Sequence, residues 1–311
     1  MAKPRNNAVD LLVYVVLRTV TAVLHALPLE ILYRGAALVA AALYRLDRPH
    51  RERALGHLRR SFPHWDERRI ERTARASMRS LAWLGVEFLL TARKITPQTW
   101  RRHVRLHNVS EALRLLCDRD KGAIFLTGHF GNWEVMGYTL AVLGFDSVAV
   151  ARPLDNPYVN AWALGLREKG GLRILDKKGA AMEVDGLLAG GGTVGFIADQ
   201  DAGRRGLFVD FFGRPASTFK SIALLAMRHE VPVVVSGARR LAPRFAFEIA
   251  IGRIIHPHHW AGKQDPMRWI TQEYTAALEA IVRRYPDQYL WVHRRWKHRP
   301  KGQADPEDGI G

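Results

Sequence analysis

From Lys121 onward, short apolar runs alternate with longer stretches in which apolar residues recur at helical spacing. The runs predict strands at Ala123 to Thr127, Ser147 to Ala151, Gly192 to Ala198, Pro232 to Ser236 and Phe245 to Ala250. Between them the spacing predicts helices near Trp133 to Val142, Tyr158 to Lys169, Ala180 to Ala189 and Thr218 to His229. Such alternation predicts an α/β fold, a mainly parallel sheet flanked by helices. A further amphipathic helix is expected over Pro266 to Arg284, and a long one over residues 66–93, with Asp66 as its N-cap.

The first forty-odd residues have a different texture. Residues 8–27 are apolar for long enough to cross a bilayer, which takes about 20 residues. Asp10, Arg18 and His25 interrupt the run, and at about 100° per residue they fall on one side of a helix. That suits an amphipathic segment lying on a membrane better than a lipid-embedded rod. A second run, Ile31 to Tyr44, would be about 21 Å long as a helix, short of a hydrocarbon core. Lys3 and Arg5 precede the two runs and Arg48, Arg51, Arg53, Arg59 and Arg60 follow them, which places both flanks on the cytoplasmic side. The reading is a monotopic anchor over residues 1–47, a catalytic domain over 48–300 and a flexible polar tail over 301–311. A single span, a cleaved signal peptide and an ordinary core hairpin are the alternatives.

Composition adds a partner class. The chain has 311 residues, 48% of them apolar, enough for a sizeable core. Its 47 Lys and Arg against 30 Asp and Glu give +17, spread along the chain. Such a surface suits a polyanion: nucleic acid, anionic lipid or an acidic carrier protein. Cys117 is the only cysteine, which excludes an intrachain disulfide and a two-cysteine metal site and fits a reducing compartment.

Candidate chemistry centres on GAIFLTGHFGNWEVMG, Gly122 to Gly137. An apolar strand delivers His129 to the carboxyl edge of the sheet, where ligands of α/β folds collect. Glu134, one turn into the next helix, is expected to reach back to one imidazole nitrogen and leave the other basic enough to take a proton from a hydroxyl. Asn132 and the free N–H groups of the helix start are available to support developing negative charge. A capping histidine with a solvent-facing glutamate is the alternative. Asp199, Gln200 and Asp201 follow another strand on the same edge, and one of them is a candidate for holding His129. His256, His258 and His259 lack helical spacing because Pro257 breaks it, so a loop is expected there and no metal site. No GxSxG, HExxH, Walker or GxGxxG motif occurs, which removes support for serine hydrolase, zinc protease, nucleotidase and dinucleotide-dependent readings.

Four blocks in order, TGHFGNWE (Thr127 to Glu134), ARPLDNP (Ala151 to Pro157), GFIADQDAGRRGLFVDFFGRPASTFK (Gly195 to Lys220) and YPDQYLWVHRRWK (Tyr285 to Lys297), resemble the bacterial lipid A late acyltransferases and the related phosphatidylinositol mannoside acyltransferases. The resemblance implies that His129 and Glu134 are the catalytic pair of an HxxxxD/E motif. It also implies acyl transfer from an acyl carrier protein thioester, or acyl-coenzyme A, to a hydroxyl of a lipid A precursor, with no cofactor and no metal. The partners implied are the carrier protein, a phosphorylated glycolipid and the anionic membrane surface at the cytoplasmic face of a bacterial inner membrane; nucleic acid is not among them. Beside that resemblance, Arg152 is a candidate for a phosphate or the donor's phosphopantetheine arm. Arg204, Arg205, Arg214 and Lys220 form a candidate basic rim for glycolipid phosphates. Phe208, Phe211, Phe212 and Phe219 are candidate acyl-channel residues, with a core role as the alternative, and Trp291 to Lys297 reads as a membrane-interface belt. Glu134 in place of Asp, and ADQDAGRRG where glycerol-phosphate acyltransferases carry an EGTRS-like block, turn the expected acceptor away from glycerolipids. Other acceptors (phosphatidylinositol mannoside, ornithine-type lipid, lysophospholipid) and a non-catalytic anionic-lipid or nucleic-acid binder remain as rivals.

Overall fold

The computed structural model describes residues 6–118, 120–176, 179–241 and 243–302. Lys3, Arg5 and most of the polar tail therefore lie outside the described residues. Four helices come first: α1 (Asn7–Ala26), α2 (Leu29–Leu46), α3 (Arg48–Ser61) and α4 (Glu67–Lys94). Three of the four starts follow side-chain caps, since Asn6 accepts from the N–H groups of Ala8 and Val9, Asp47 from His50 and Asp66 from Arg69; α2 starts after Pro28 without one. A short α5 (Trp100–His103) leads into β1 (Val104–His107), α6 (Ser110–Cys117), β2 (Ala123–Thr127), α7 (Trp133–Val142), β3 (Ser147–Ala151), α8 (Pro157–Glu168), β4 (Arg173–Asp176), α9 (Ala180–Ala189) and β5 (Thr193–Ile197). The hairpin β6 (Leu207–Phe211) and β7 (Arg214–Thr218) precedes α10 (Ser221–Arg228), β8 (Val233–Arg240), β9 (Phe247–Ile255), α11 (Pro257–Trp260), α12 (Pro266–Arg284) and a 3₁₀ turn, Pro286–Gln288.

The main sheet has seven strands in the order β1-β9-β8-β2-β5-β3-β4. Strands β8, β2, β5, β3 and β4 run parallel, while β9 is antiparallel to β8 and carries β1 with it. Leu126 of β2 sits opposite Phe196 of β5 and Val235 of β8. All five residues of β2 are buried, which is why its sequence is continuously apolar and not alternating. One core lies between the sheet and α9, α10 and α12, built on Ile124, Leu126, Val194, Val233, Tyr274 and Leu278. This fixes the carboxyl ends of β2, β5 and β3 along one edge.

Several elements were not foreseen, among them the helices α3, α5 and α6. The strands β1 and β4 are short outer strands with charged residues among few apolar ones, and the β6–β7 hairpin replaces the expected acyl channel. Phe211 and Phe212 pack with Phe62, Trp291 and Trp296 as core, so they do not line a channel beside His129. The same cluster corrects the interface-belt reading of the C-terminal segment. Trp291, Trp296 and Arg295 are essentially inaccessible, and His57 of α3 meets the Trp291 carbonyl at 2.9 Å. The histidine segment folds into α11 instead of a loop.

α1 packs the opposite way round from a helix of a water-soluble domain. Its polar side faces the protein: the Asp10 carbonyl accepts from Asn156, the Arg18 guanidinium lies over Trp162, and His25 meets the Leu89 carbonyl at 3.2 Å. Leu11, Leu12, Val13, Val15, Val16, Val20 and Val23 point outward, continued on α2 by Leu38, Val39, Leu43 and Leu46. An outward apolar face of this size marks an interaction surface. Among the described residues α1 is the one helix long and apolar enough to cross a membrane.

Beneath α2, Glu87 of α4 is fully buried and saturated with donors. Tyr33 of α2, Arg240 at the end of β8 and the Asn132 side-chain amide all donate to its carboxylate. The pairing explains why β8 runs past Ser236 to a buried arginine. It also ties the N-terminal helices to the turn that carries His129.

Candidate active site

The turn after β2 is fixed by its backbone. His129 offers its carbonyl to the Leu290 N–H, Gly131 N–H donates to the Gln288 carbonyl and Asn132 N–H to the Ala238 carbonyl. Gly131 has φ +58°, and a Cβ there would lie 1.9 Å from the Ala238 oxygen, so only glycine permits this approach. Asn132 caps α7 by accepting from Val135 N–H.

His129 is held by Asp199, which emerges just past the carboxyl end of the neighbouring strand β5. Its backbone N–H donates to Asp199 Oδ2 at 2.8 Å, and its Nδ1 lies 2.7 Å from Oδ1. The two bonds fix both the ring and the tautomer: Nδ1 carries a hydrogen toward the carboxylate and Nε2 keeps its lone pair. Asp199 is 3% exposed. Burial pulls the His129 pKa down, but the Asp199 charge and hydrogen bond, with Glu134 adding less, more than offset it and leave the imidazole more basic than usual. Burial likewise works against ionised Asp199, yet the facing histidine lowers its pKa to about 2.

Glu134 is placed differently from the expectation. Its two carboxylate oxygens take a bidentate pair from Arg167 of α8, at 2.8 and 2.7 Å, and no hydrogen bond joins it to His129. Asp199 therefore does what was expected of Glu134; the i+5 position on α7 turns the carboxylate toward α8. Asn132 is also corrected, because it is fully buried with its amide committed to Glu87 and Val135, leaving nothing to offer a substrate.

The other candidates divide. Gln200 stands on the His129 side, with its Nε2 3.5 Å from His129 Nε2. Asp201 faces away and holds His298, whose Nδ1 is 2.6 Å from Oδ2. Arg152 follows β3 on the same edge, highly exposed and paired loosely with Asp155. Arg204, Arg205 and Lys220 are exposed. Arg214 is not an open rim residue: its guanidinium stacks on Trp296 at 3.6 Å and donates to Ser61.

Sequence reasoning missed His293. Its ring stacks on His129 with centroids 5.1 Å apart and 19° between planes, and Trp133 meets His129 edge-on from the other element. Burial and then the neighbouring His129 lower the His293 pKa and disfavour its charged form. Arg295 is buried behind it, donating to Thr218 and to the Gln200 carbonyl. The interleaved HRRW pattern was the available signal; His293 and Arg295 pack around the site while Arg294 is exposed. A cavity of about 10 Å³ adjoins His129, lined by Ser77, Ser80, Leu81, Leu84 and Trp133, with room for about one water. Ser77 and Ser80 are engaged, by the Tyr289 carbonyl and by Arg240. No group of three or more His, Cys, Asp or Glu among the described residues is arranged to hold a metal ion.

A carboxylate-oriented imidazole at the carboxyl edge of a mainly parallel sheet, with Nε2 turned away from the carboxylate, has the chemistry for general acid–base work in transfer or hydrolysis. The chain belongs to the bacterial lipid A biosynthesis acyltransferase family, whose profile matches residues 3–298. It is 25% identical over 194 residues to the lipid A biosynthesis lauroyltransferase of Escherichia coli K12, covering 62% of this chain and 61% of the relative. It is 29% identical over 198 residues to a lipid A biosynthesis acyltransferase of Haemophilus influenzae, covering 61% and 60%. A lipid A biosynthesis palmitoleoyltransferase of Escherichia coli K12 is 24% identical over 189 residues, covering 60% and 59%. The chain thus spans about three fifths of the length of the curated relatives it matches.

Proposed function

We propose that this protein is a membrane-associated O-acyltransferase that moves a fatty acyl group from a thioester, on an acyl carrier protein or coenzyme A, to a hydroxyl of a phosphorylated lipid A precursor. The observation that carries the reading is the buried His129–Asp199 pair, which engages Nδ1 and leaves Nε2 with only the Gln200 amide near it, at 3.5 Å. Asp199 keeps the hydrogen on Nδ1, and Nε2 takes the proton of the acceptor hydroxyl as its oxygen attacks the thioester carbonyl. The tetrahedral intermediate collapses with loss of the thiolate, which takes the proton back from Nε2. Gln200 is the side chain best positioned to donate to the intermediate's oxygen. Attack is direct, since Cys117 lies exposed at the end of α6 and the serines nearest His129 are already hydrogen-bonded. Glu134 acts through Arg167 and through its charge on His129.

The outward apolar faces of α1 and α2 support association with a lipid surface, with the site at the cytoplasmic face of an inner membrane. The +17 charge suits both an acidic carrier protein and a phosphorylated acceptor. The test is mass spectrometry of lipid A from a strain lacking a late acyltransferase and expressing this chain. The reading requires one added acyl mass, absent with His129→Ala. An unchanged lipid A with the wild-type chain, or acylation surviving His129→Ala, would refute it.

A further inference from the structure

Two imidazoles stand face to face in this site, and the chemistry derived above uses one of them. The segment that carries His293 is bonded to the turn that carries His129. Leu290 N–H donates to the His129 carbonyl at 3.0 Å, Gly131 N–H to the Gln288 carbonyl at 2.8 Å, and His293 N–H to the Leu290 carbonyl at 3.1 Å. The ring overlap, 5.1 Å between centroids with 19° between planes, is therefore set by the backbone on both sides.

The rings differ in which nitrogen is engaged. Nδ1 of His129 faces Asp199. Nδ1 of His293 is sealed from solvent without a hydrogen-bond partner, whereas its Nε2 is not sealed and makes no hydrogen bond among the described residues. A sealed N–H without an acceptor is rarer in folded proteins than a sealed acceptor without a donor. The neutral ring therefore carries its hydrogen on Nε2, the nitrogen a ligand can reach. Of the titratable and charged groups around this ring, His129, Arg295 and His57 disfavour its charge and Asp199 favours it, and burial adds to the first group. The result is a pair of stacked imidazoles in opposite tautomers. His129 offers a lone pair at Nε2, and His293 offers an N–H.

Direct attack on a thioester places two oxygens on one carbon: the entering oxygen, whose proton goes to His129 Nε2, and the former carbonyl oxygen, on which negative charge develops. We infer that His293 is a second catalytic residue of this site, its Nε2–H donating a hydrogen bond to the former carbonyl oxygen alongside the Gln200 amide. The inference rests on the acyltransferase reading. His293 keeps its hydrogen throughout; the carbon–sulfur bond breaks and the thiolate is protonated from His129, as described above. A neutral donor suits this position, because a second imidazolium would repel the one that forms on His129.

Two substitutions separate donation from packing. His293→Phe keeps a ring against His129 and has no donor; His293→Gln loses the ring and places its amide near the Nε2 position. Initial rates of thiol release and acyl-acceptor formation are measured with the full chain across neutral pH. The expected result is a kcat lowered about tenfold to a hundredfold in His293→Phe, with KM and the acid limb of the pH profile little changed, and partial recovery in His293→Gln. Wild-type kcat in His293→Phe, or an equal loss in both variants, would reduce the ring to packing and overturn the inference. A loss in His293→Phe that follows a displaced acid limb would make His293 a modifier of His129 basicity, and overturns it too. If His293→Phe does not fold by circular dichroism, the wild type decides. Nitrogen NMR of histidine-labelled protein, with the His293 signals assigned by their absence in His293→Gln, must show hydrogen on Nε2 and a bare Nδ1 near neutral pH. Hydrogen on Nδ1 alone, or on both nitrogens, overturns the inference. A wild-type chain that transfers no acyl group refutes the acyltransferase reading itself; an active wild type with any of the contrary results above overturns the role of His293 alone.

Discussion

Replacing Asp199 by Asn is the sharpest probe of the site, because it keeps the volume and changes one thing. Asp199 accepts twice from His129, at the backbone N–H and at Nδ1. Asparagine has one oxygen and one NH₂. The backbone N–H can only donate, so the oxygen must stay with it, and the NH₂ then faces Nδ1. An NH₂ facing Nδ1 favours the tautomer with its hydrogen on Nε2, which removes the lone pair that takes the acceptor's proton. The loss is that of a general base in the wrong tautomer, about 10³ to 10⁴ in kcat, or about 4–5 kcal/mol of barrier. Initial rates of thiol release and acyl-acceptor formation, measured from pH 6 to 9, give both size and sign. In the wild type the imidazole is more basic than usual, so the neutral base is lost as pH falls through a value above 6.5, and kcat/KM has its acid limb there. Without the Asp199 charge the limb moves to lower pH in the residual activity. The companion Glu134→Gln keeps Asp199 in place and should cost no more than about tenfold. If Asp199→Asn stays within tenfold of wild type while Glu134→Gln loses a thousandfold, the carboxylate roles assigned here are reversed.

Other outcomes follow from the same packing. Glu87→Leu leaves the Arg240 guanidinium buried without its carboxylate and should destabilise the fold by about 3–5 kcal/mol in denaturant unfolding, whereas the double change Glu87→Leu with Arg240→Met should recover much of it. Arg167→Ala and Glu134→Ala should each lower stability, with a double variant clearly less than additive, because they remove the same half-buried pair. The Asp199 carboxyl has its folded pKa lowered to about 2 from an ordinary 3.8, so its contribution is present above pH 3.8 and is lost as pH falls toward 2; the more basic His129 contributes fully below pH 6.5 and loses that share as pH rises through its folded pKa. Acid and neutral unfolding series on wild type and Asp199→Asn check both signs. Leu12→Glu with Val16→Glu on the outward face of α1 should weaken binding to vesicles containing anionic phosphatidylglycerol by at least about tenfold, measured by co-sedimentation.

What the sequence could and could not show follows from which forces act along the chain and which act across it. Strand β2 and helices α7, α9 and α12 were legible to the residue, because a strand buried on both faces must be apolar throughout and a packed helix must repeat. The short outer strands β1 and β4 satisfy neither condition, so Val104–His107 and Arg173–Asp176 left no pattern. The place of His129 was legible for a local reason: β2 ends in a turn that only Gly131 permits, and the ring must emerge at the sheet's edge. Its partner was legible only as one of three, since Asp199, Gln200 and Asp201 were expected on the same edge with one of them holding His129. Spacing along α7 nominated Glu134, five residues away, but the pairing that forms crosses the sheet from β2 to the end of β5, seventy residues on. Nothing in helical periodicity weighs that contact against a local one; what decides it is Arg167 of α8, which claims both oxygens of Glu134 and leaves Asp199 facing the ring. The same crossing of distant segments hid His293 and His298. Both sit in a stretch whose alternating aromatic and basic residues resemble an interface belt, and only burial of Trp291, Arg295 and Trp296 turns its histidines toward the Asp199 loop.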